Sequence, residues 1–144
     1  FWYLACEPCI REMKELDKLN IKYGDQGFAV LSINTDGTRQ IALVKSYVRS
    51  QGYTFPVLLD PRGREFFKKM GGNVMPFVII ADSTGEIKNR HVSYTDGDEK
   101  ELEKEILHLL AKQRPPSDTL QIEPETPKPE ESPDPPSESL LLNK

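Results

Sequence analysis

The sequence has few cysteines, histidines and tryptophans and no excess of positive charge. Its 144 residues include two cysteines, two histidines and one tryptophan, and the formal net charge is −4. A closed structural zinc site needs four ligands, and a nucleic-acid-binding protein carries a clustered basic face. We therefore expect neither a metal ion nor a nucleic-acid partner. No apolar run approaches the roughly 20 residues that span a bilayer, and no signal peptide is recognisable.

The two ends of the chain differ in composition. Residues 113–144 hold 8 of the 12 prolines and 7 acidic against 3 basic residues, whereas residues 1–112 carry equal numbers of both charges. A segment rich in proline and poor in aliphatic residues cannot bury enough apolar surface to offset its chain entropy. The composition thus predicts one folded domain over 1–112 and an acidic, disordered, Pro-rich tail over 113–144.

The folded part alternates helix-like and strand-like patterns. Apolar residues recur at helical spacing in four segments, and short apolar runs between turn residues are typical of strands. The predicted order is a helix over 8–22, a strand over 28–33 buried on both faces, a helix over 38–50, a strand over 55–59, a helix capped by Asp60 with Pro61 at its first position and ended by Gly71-Gly72, a strand over 74–81, a polar hairpin strand over 86–94, and a helix beginning at Asp98 with Glu101 completing a capping box.

This order belongs to an α/β or α+β layered domain. The predicted first helix has no complete strand before it, because only residues 1–7 precede it. We interpret Phe1-Trp2 as the end of a strand. The chain opens on Phe rather than Met, and it is interpreted as a fragment whose first strand or strands, and any leader or membrane anchor, lie upstream of Phe1.

The only cysteines form the motif Cys6-Glu7-Pro8-Cys9. Positions i and i+3 on a helical turn bring the two side chains close enough for a disulfide. At a helix N-terminus the macrodipole favours an anion, so Cys6 is predicted to have a lowered pKa and to act as the nucleophile. Cys9, one turn further in, would be less exposed and resolve a mixed disulfide. Pro8 suits the first turn, and Glu7 partly offsets the stabilisation of the thiolate.

Two other interpretations of the cysteine pair compete with a redox role. A zinc site would need His91 or His108, and neither has ligand-like spacing. A purely structural disulfide would close so short a loop that it would remove little chain entropy. A redox-active pair on a βαβ pattern is the preferred interpretation.

A distant proline supports the redox interpretation. Met75-Pro76 opens the apolar run over 77–80, where proline fits a strand's first residue. A cis peptide here would turn the backbone towards the cysteines and leave the Met75 main chain free to pair with an extended substrate. A trans proline ending a loop is the alternative.

Together these motifs resemble the thioredoxin superfamily, specifically the TlpA/ResA-like group of extracytoplasmic thiol–disulfide oxidoreductases. The resemblance covers essentially all of residues 1–112 and none of the tail. It is carried by Phe1-Trp2-Tyr3-Leu4-Ala5-Cys6-Glu7-Pro8-Cys9, Phe55-Pro56-Val57-Leu58-Leu59-Asp60, Val74-Met75-Pro76-Phe77-Val78-Ile79-Ile80-Ala81-Asp82, Gly85-Glu86-Ile87 and Gly97-Asp98-Glu99-Lys100-Glu101-Leu102.

The resemblance implies a thioredoxin-like α/β fold with a central mixed sheet flanked by helices. It implies Cys6 as attacking thiol, Cys9 as resolving thiol, Pro76 as a cis-proline next to a substrate-binding Met75, and no cofactor beyond the sulfurs. Trp2, Ala5, Glu7 and Pro8 would form the active-site loop. The family usually has Trp where Ala5 stands, which predicts a more open rim. Any buried acid on the strand upstream of Phe1, which could shuttle protons to Cys9, is not identified by this sequence.

The expected activity is exchange of a dithiol for a disulfide with protein substrates. The Cys-Glu-Pro-Cys version is similar to members that act outside the cytoplasm as reductants, including reductants of apocytochromes c, and implies an upstream electron donor. Two alternatives are a peroxiredoxin-like peroxidase and a non-catalytic binding module built on the same fold. The peroxidase needs an activating loop that Tyr3-Leu4-Ala5 does not supply.

Overall fold

The computed structural model describes residues 1–60 and 62–113 of the chain. Four helices and four strands follow one another in an alternating order. In chain order they are α1 Glu7–Tyr23, β1 Ser32–Asn34, α2 Ile41–Gln51, β2 Val57–Leu59, α3 Glu65–Lys69, β3 Phe77–Ala81, β4 Ile87–Val92 and α4 Glu99–Gln113, with short 3-10 turns at Gly24–Gln26 and Thr38–Gln40.

The strands form two small sheets that the opening dipeptide joins. Strand β1 pairs in parallel with β2, and β3 pairs antiparallel with β4. Trp2 forms a parallel bridge with Asn34. On its other side, the Phe1 nitrogen donates a hydrogen bond of 2.8 Å to the Phe77 carbonyl oxygen. The dipeptide thus pairs as the end of a strand, as predicted, and connects the parallel strand pair to the antiparallel one.

Helix α1 carries the cysteine motif against the main core. Its predicted span of 8–22 is confirmed to within one residue at each end. The core beside it consists of Trp2, Cys6, Cys9, Met13, Val30, Val44 and Phe55. A second cluster of Leu19, Tyr23, Ile80, Leu102 and Ile106 joins α1 to β3 and α4. The first cluster holds the start of α1 and the second cluster its later turns, so the helix is fixed along its length.

The predicted strand over 28–33 is wrong in its extent. Strand β1 begins at Ser32, and Leu31 is exposed. Before it, the chain bonds to α1 and not to a neighbouring strand. The Phe28 amide donates to the Tyr23 carbonyl oxygen and the Val30 amide donates to the Asn20 side chain. These local bonds replace the ladder that a longer strand needs.

The predicted helix starting at Asp60 begins instead at Glu65 and ends at Lys69. Gly63 and Arg64 both have positive φ angles, so the chain turns sharply before the helix starts. The Asp60 carboxylate nevertheless accepts a hydrogen bond from the Phe66 amide at 2.9 Å. Asp60 therefore caps the helix from across the loop, while Pro61 lies outside the described residues.

The predicted capping box of the last helix does not form. Helix α4 starts at Glu99, and the Asp98 carboxylate accepts from the Thr95 amide, on the preceding turn. The Glu101 carboxylate pairs with Lys104. The other elements are confirmed with shorter bounds for the strands. Helix α4 extends to Gln113, one residue past the predicted domain boundary, and the predicted tail beyond it lies outside the described residues.

Candidate active site

Cys6 and Cys9 form a disulfide at the start of helix α1. Their Cα atoms lie 5.2 Å apart, and Cys6 is the N-cap residue, whose sulfur accepts a hydrogen bond from the Cys9 amide at 3.3 Å. Both side chains are almost fully buried, at 2% and 0% exposure. The sequence predicts a more exposed Cys6, and in this disulfide form the difference is small. The spacing has placed the two sulfurs as predicted.

A tight turn delivers Cys6 to the helix N-terminus. The Cys6 amide donates to the Tyr3 carbonyl oxygen at 3.0 Å, and the Ile10 amide donates back to the Cys6 carbonyl oxygen at 3.1 Å. Pro8 stands in the first turn, where a helix leaves its amides without partners. Because these amides and the helix dipole face the Cys6 sulfur, they favour negative charge there.

Of the other residues predicted for the active-site loop, Ala5 and Glu7 lie at its exposed rim and Trp2 is buried beneath it. Ala5 and Glu7 are exposed at the rim, and the Glu7 carboxylate pairs with Arg11 at 3.0 Å. Trp2 is buried beneath the loop, its ring centroid 5.9 Å from that of Tyr47. Among the described residues the Trp2 indole nitrogen has no hydrogen-bond partner. Trp2 therefore supports the loop by packing.

The Met75–Pro76 segment reaches the core cluster of the cysteines through the Met75 side chain. The Met75–Pro76 peptide bond is cis. Pro76 is buried, and the half-buried Met75 packs against the core cluster that contains both cysteines. Within the described part of the chain, neither the amide nor the carbonyl of Met75 bonds to another backbone group. The main chain before the proline is thus available to pair with an extended segment of another polypeptide.

Sequence reasoning missed Glu12, a buried acid on α1. Glu12 is 7% exposed and lies three residues after Cys9, on the buried face of the helix. Burial, with a smaller effect of Asp98, raises the pKa of Glu12 to about 7, against the opposing charge of the Phe1 amino group. An acidic residue inside the apolar stripe of α1 was the signal available in the sequence.

Glu12 and Cys9 line one cavity. It has a volume of about 500 Å³ and lies between the 28–33 segment and strand β3, with Trp2 and Met13 at its cysteine end. Charge inside such an apolar space is poorly solvated, which accounts for the raised pKa of Glu12. The arrangement places a group that can hold a proton near neutral pH in the wall of the same cavity as Cys9.

A buried polar segment consists of the last residue of β1 and the two residues after it. Asn34, Thr35 and Asp36 are all buried. The Thr35 hydroxyl donates to the Trp2 carbonyl oxygen at 3.2 Å and lies 3.6 Å from the Met75 sulfur. Sequence reasoning did not single out these residues. Three polar residues directly after a strand were the available signal, since the ends of strands often carry functional groups.

The two histidines lie on different elements, His91 on β4 and His108 on α4. His91 pairs with Glu105 through its Nε2 atom at 3.2 Å, and His108 is exposed. In residues 1–60 and 62–113, no three side chains of the types that ligate metals come together. None of the helices described is long and apolar enough to cross a membrane.

Residues 1–106 match the family model described as Redoxin. The thiol-disulfide oxidoreductase ResA of Halalkalibacterium halodurans is 29% identical over 110 residues, which are 76% of this chain and 59% of the relative. The thioredoxin-like protein YneN of Bacillus subtilis is 32% identical over 109 residues, 74% of this chain and 60% of the relative. The solution structure of an uncharacterised thioredoxin-like protein from Porphyromonas gingivalis is similar with a TM-score of 0.71 and 30% identity, over 80% of this chain and 75% of that one.

The chain spans about three fifths of the length of the two relatives. The matched region contains the cysteine motif, helix α1 and the Met75–Pro76 segment. The similarity therefore includes every residue that the geometry brings together at the disulfide.

Proposed function

Because the chain belongs to the Redoxin family, we propose that it is a thiol–disulfide oxidoreductase that exchanges electrons with protein thiols through Cys6 and Cys9. One observation carries the proposal. The two cysteines form a disulfide at a helix N-terminus. Met75, which precedes a cis-proline, packs against their core cluster, and its main chain makes no backbone hydrogen bond to the residues that the structure describes. A structural disulfide across so short a loop would add little stability.

The chemistry proceeds by two thiol–disulfide exchanges. In the reducing direction, the Cys6 thiolate attacks one sulfur of a substrate disulfide. The substrate S–S bond breaks, a mixed disulfide forms, and one substrate thiolate leaves. Cys9 then loses its proton and attacks the Cys6 sulfur, which releases the second substrate thiolate and forms the Cys6–Cys9 bond. Two electrons pass to the substrate, and each released thiolate takes up one proton.

Glu12 is suited to take the proton of Cys9. A general base works best when its pKa lies near the working pH, and burial brings the pKa of Glu12 to about 7. It faces the same cavity as Cys9. We assign Glu12 this role within the proposed cycle, with Cys6 as attacking thiol, Cys9 as resolving thiol and no further cofactor.

The proposed substrates are proteins that present an extended segment. The free amide and carbonyl of Met75 would pair with the backbone of that segment, in the manner of an added strand. The exposed Ala5 leaves the rim open on the side of Cys6. Backbone pairing gives affinity for many sequences, while the rim decides which side chains fit.

The finer proposal is an extracytoplasmic reductant of the type that serves cytochrome c maturation, supplied by an upstream electron donor. It is supported by the resemblance of the Cys-Glu-Pro-Cys motif to such proteins. Its test is the redox state of Cys6 and Cys9 in the native cell, trapped by acid and alkylation. A reductant keeps the pair largely as a dithiol, whereas a mainly disulfide pair points to an oxidant.

The decisive experiment is trapping with Cys9→Ser. Without the resolving thiol, the Cys6 mixed disulfide with a substrate should persist, and insulin reduction should fall to background. The matched control is Cys6→Ser, which should trap nothing. If Cys9→Ser captures no partner and wild-type protein does not reduce insulin, the proposal fails. Peroxide consumption without insulin reduction would favour a peroxidase, and biological activity intact in Cys6→Ser would favour a binding module.

A further inference from the structure

Asp36 is a buried carboxylate bonded to the turn that carries Cys6. It is 9% exposed and lies two residues after strand β1. One oxygen, Oδ2, accepts a hydrogen bond of 2.7 Å from the Leu4 amide and one of 2.8 Å from the Asn34 side-chain amide. The Asp36 amide in turn donates to the Asn34 side-chain oxygen at 3.0 Å.

The Asp36 charge has no cationic partner in the described part of the chain. The ion pairs there involve other acids. Its two hydrogen-bond donors are neutral, so they orient the carboxylate and leave its net charge in place. In a buried setting of low dielectric, such a charge acts on its neighbours more strongly than an exposed one.

Leu4 connects the Asp36 carboxylate to the turn that carries Cys6. The turn that the Cys6 amide closes onto the Tyr3 carbonyl oxygen contains Leu4, so the Asp36 oxygen contacts the inside of the same turn. The bond to Leu4 is short and charge-assisted, a kind of hydrogen bond about twice as strong as a neutral one. Asp36 therefore holds the turn in place through the amide that stands two residues before Cys6.

From this geometry we infer that Asp36 is a positioning residue that keeps the Cys6 thiol less acidic than the helix N-terminus alone would make it. The inference rests on the proposed function, because it concerns the redox behaviour of the same cysteine pair. A nearby negative charge disfavours a thiolate. Since the thiolate belongs to the dithiol form, a less acidic Cys6 makes the pair a stronger reductant.

Both acidic and basic groups surround the cysteine motif, and they have opposite effects on the Cys6 pKa. On helix α1, Glu7 is exposed and paired with Arg11, and Glu12 is buried on the inner face. From the loop before α3, the Arg64 guanidinium lies 5.0 Å from the centre of the Tyr3 ring. Exposed charges are screened by salt, whereas a buried one is screened much less. The effect of the buried Asp36 on the Cys6 pKa should therefore persist at high salt.

The test compares Asp36→Asn with wild type. Asparagine keeps an oxygen that can accept from the Leu4 amide but carries no charge. The pKa of Cys6 is measured from the pH dependence of its alkylation by iodoacetamide in the fully reduced protein. We expect the Cys6 pKa to fall by about 1 unit in the variant, a typical size for a close like charge. The equilibrium of the disulfide with reduced glutathione should move towards the dithiol, by up to about tenfold above that pKa.

The matched control is Asp17→Asn. Asp17 lies on helix α1, whose N-terminus Cys6 caps, and its carboxylate accepts hydrogen bonds from Thr54. Asp17→Asn therefore changes the net charge by the same amount as Asp36→Asn but leaves the turn before Cys6 unchanged. The inference is overturned if Asp36→Asn leaves the Cys6 pKa unchanged, or if Asp17→Asn lowers it as much. The absence of insulin reduction by the wild-type protein would instead count against the proposed function. The two failures are distinguishable, because the alkylation measurement of the Cys6 pKa needs no substrate.

Two further measurements keep the inference testable if the Asp36→Asn variant does not fold. Circular dichroism shows whether Asp36→Asn is folded. If it is not, the Cys6 pKa of the wild type is followed from about 0.02 M to about 0.5 M salt, where the screening length shortens several-fold. A buried Asp36 predicts little change. A fall of the pKa with salt would assign the effect to exposed acids and overturn the inference.

Discussion

At the scale of single residues, the site contains two buried acids with different surroundings. Asp36 is bonded to two neutral donors, whereas Glu12 faces an apolar cavity and its pKa is raised to about 7. Desolvation makes a carboxyl group such as that of Glu12 hold its proton to higher pH, whereas the hydrogen bonds of Asp36 fix its orientation. The sequence shows only that both residues are acidic, and it does not show that their surroundings differ in this way.

Glu12→Gln should lower exchange activity and flatten its dependence on pH. Loss of a general base slows a proton-transfer step by about 100-fold or more when that step limits the rate. We expect the inflection near pH 7 in the rate of insulin reduction to disappear. The pH profiles of wild type and variant from about pH 5 to 9 provide the check. An unchanged inflection would remove Glu12 from the cycle.

The same variant should change the pH dependence of stability. The folded-state pKa of Glu12 is raised from 4.5 to about 7, so its contribution to stability is full below about pH 4.5 and is lost as the pH rises through 7. The loss amounts to about 3 kcal/mol. Urea unfolding at pH 5 and pH 8 should show a smaller decline for Glu12→Gln than for wild type. Equal declines would mean that Glu12 is solvated in the folded state.

At the scale of elements, the short helix α3 depends on a cap that lies outside it. The chain before the helix passes through Gly63 and Arg64 in the left-handed region. The Arg64 side chain makes no capping hydrogen bond, and the Asp60 carboxylate supplies one to the Phe66 amide instead. The cap thus ties the end of strand β2 to the start of α3, beside the ring of Phe1, which lies 5.7 Å from that of Phe66.

Asp60→Ala should destabilise the protein by about 1 kcal/mol, the usual cost of losing a capping side chain. Asp60→Asn retains an oxygen that can accept from Phe66 and should cost less. Urea unfolding of both variants measures the difference. If the two variants are equally stable, the cap contributes nothing and the loop alone positions α3.

At the scale of the whole molecule, a dipeptide joins the two halves of the sheet. Phe1 bonds to β3 and Trp2 bonds to β1. The Trp2 side chain is 2% exposed and belongs to the core cluster that also contains Cys6 and Cys9. Packing around Trp2 therefore connects the sheet to the start of α1, so the stability of the core and the geometry of the site depend on the same side chain.

Trp2→Ala should cost about 3–5 kcal/mol in unfolding free energy, as for other large aromatic residues truncated in a core. Trp2→Phe should cost much less. It keeps an aromatic ring, and it removes an indole N–H that has no partner in the described part of the chain, where an unsatisfied polar group is itself unfavourable. Thermal unfolding of both variants tests this. A large loss in Trp2→Phe would show that the indole N–H does have a partner, such as a water molecule.

Much of the fold was predictable because local signals agree with the tertiary structure. Helix α1 and the hairpin of β3 and β4 follow directly from apolar spacing and turn residues. The errors occur where a side chain bonds across a loop. Asp60 caps from six residues away, and Asn20 takes the Val30 amide that a longer strand would have used. Such bonds depend on where the elements meet, which spacing along the chain does not encode.

The sequence by itself determined that two sulfurs meet at a helix start, because the i and i+3 positions of one turn are close in any α-helix. It also determined which faces of the helices are buried, since their apolar spacing admits one orientation. Only the tertiary structure decided which acids stand near those sulfurs. Asp36 lies 30 residues after Cys6 in the chain, and Glu12 owes its raised pKa to a cavity that several elements enclose. Proximity across the fold and loss of solvent are properties of the packed molecule, so neither can be assigned to a residue before the packing is known.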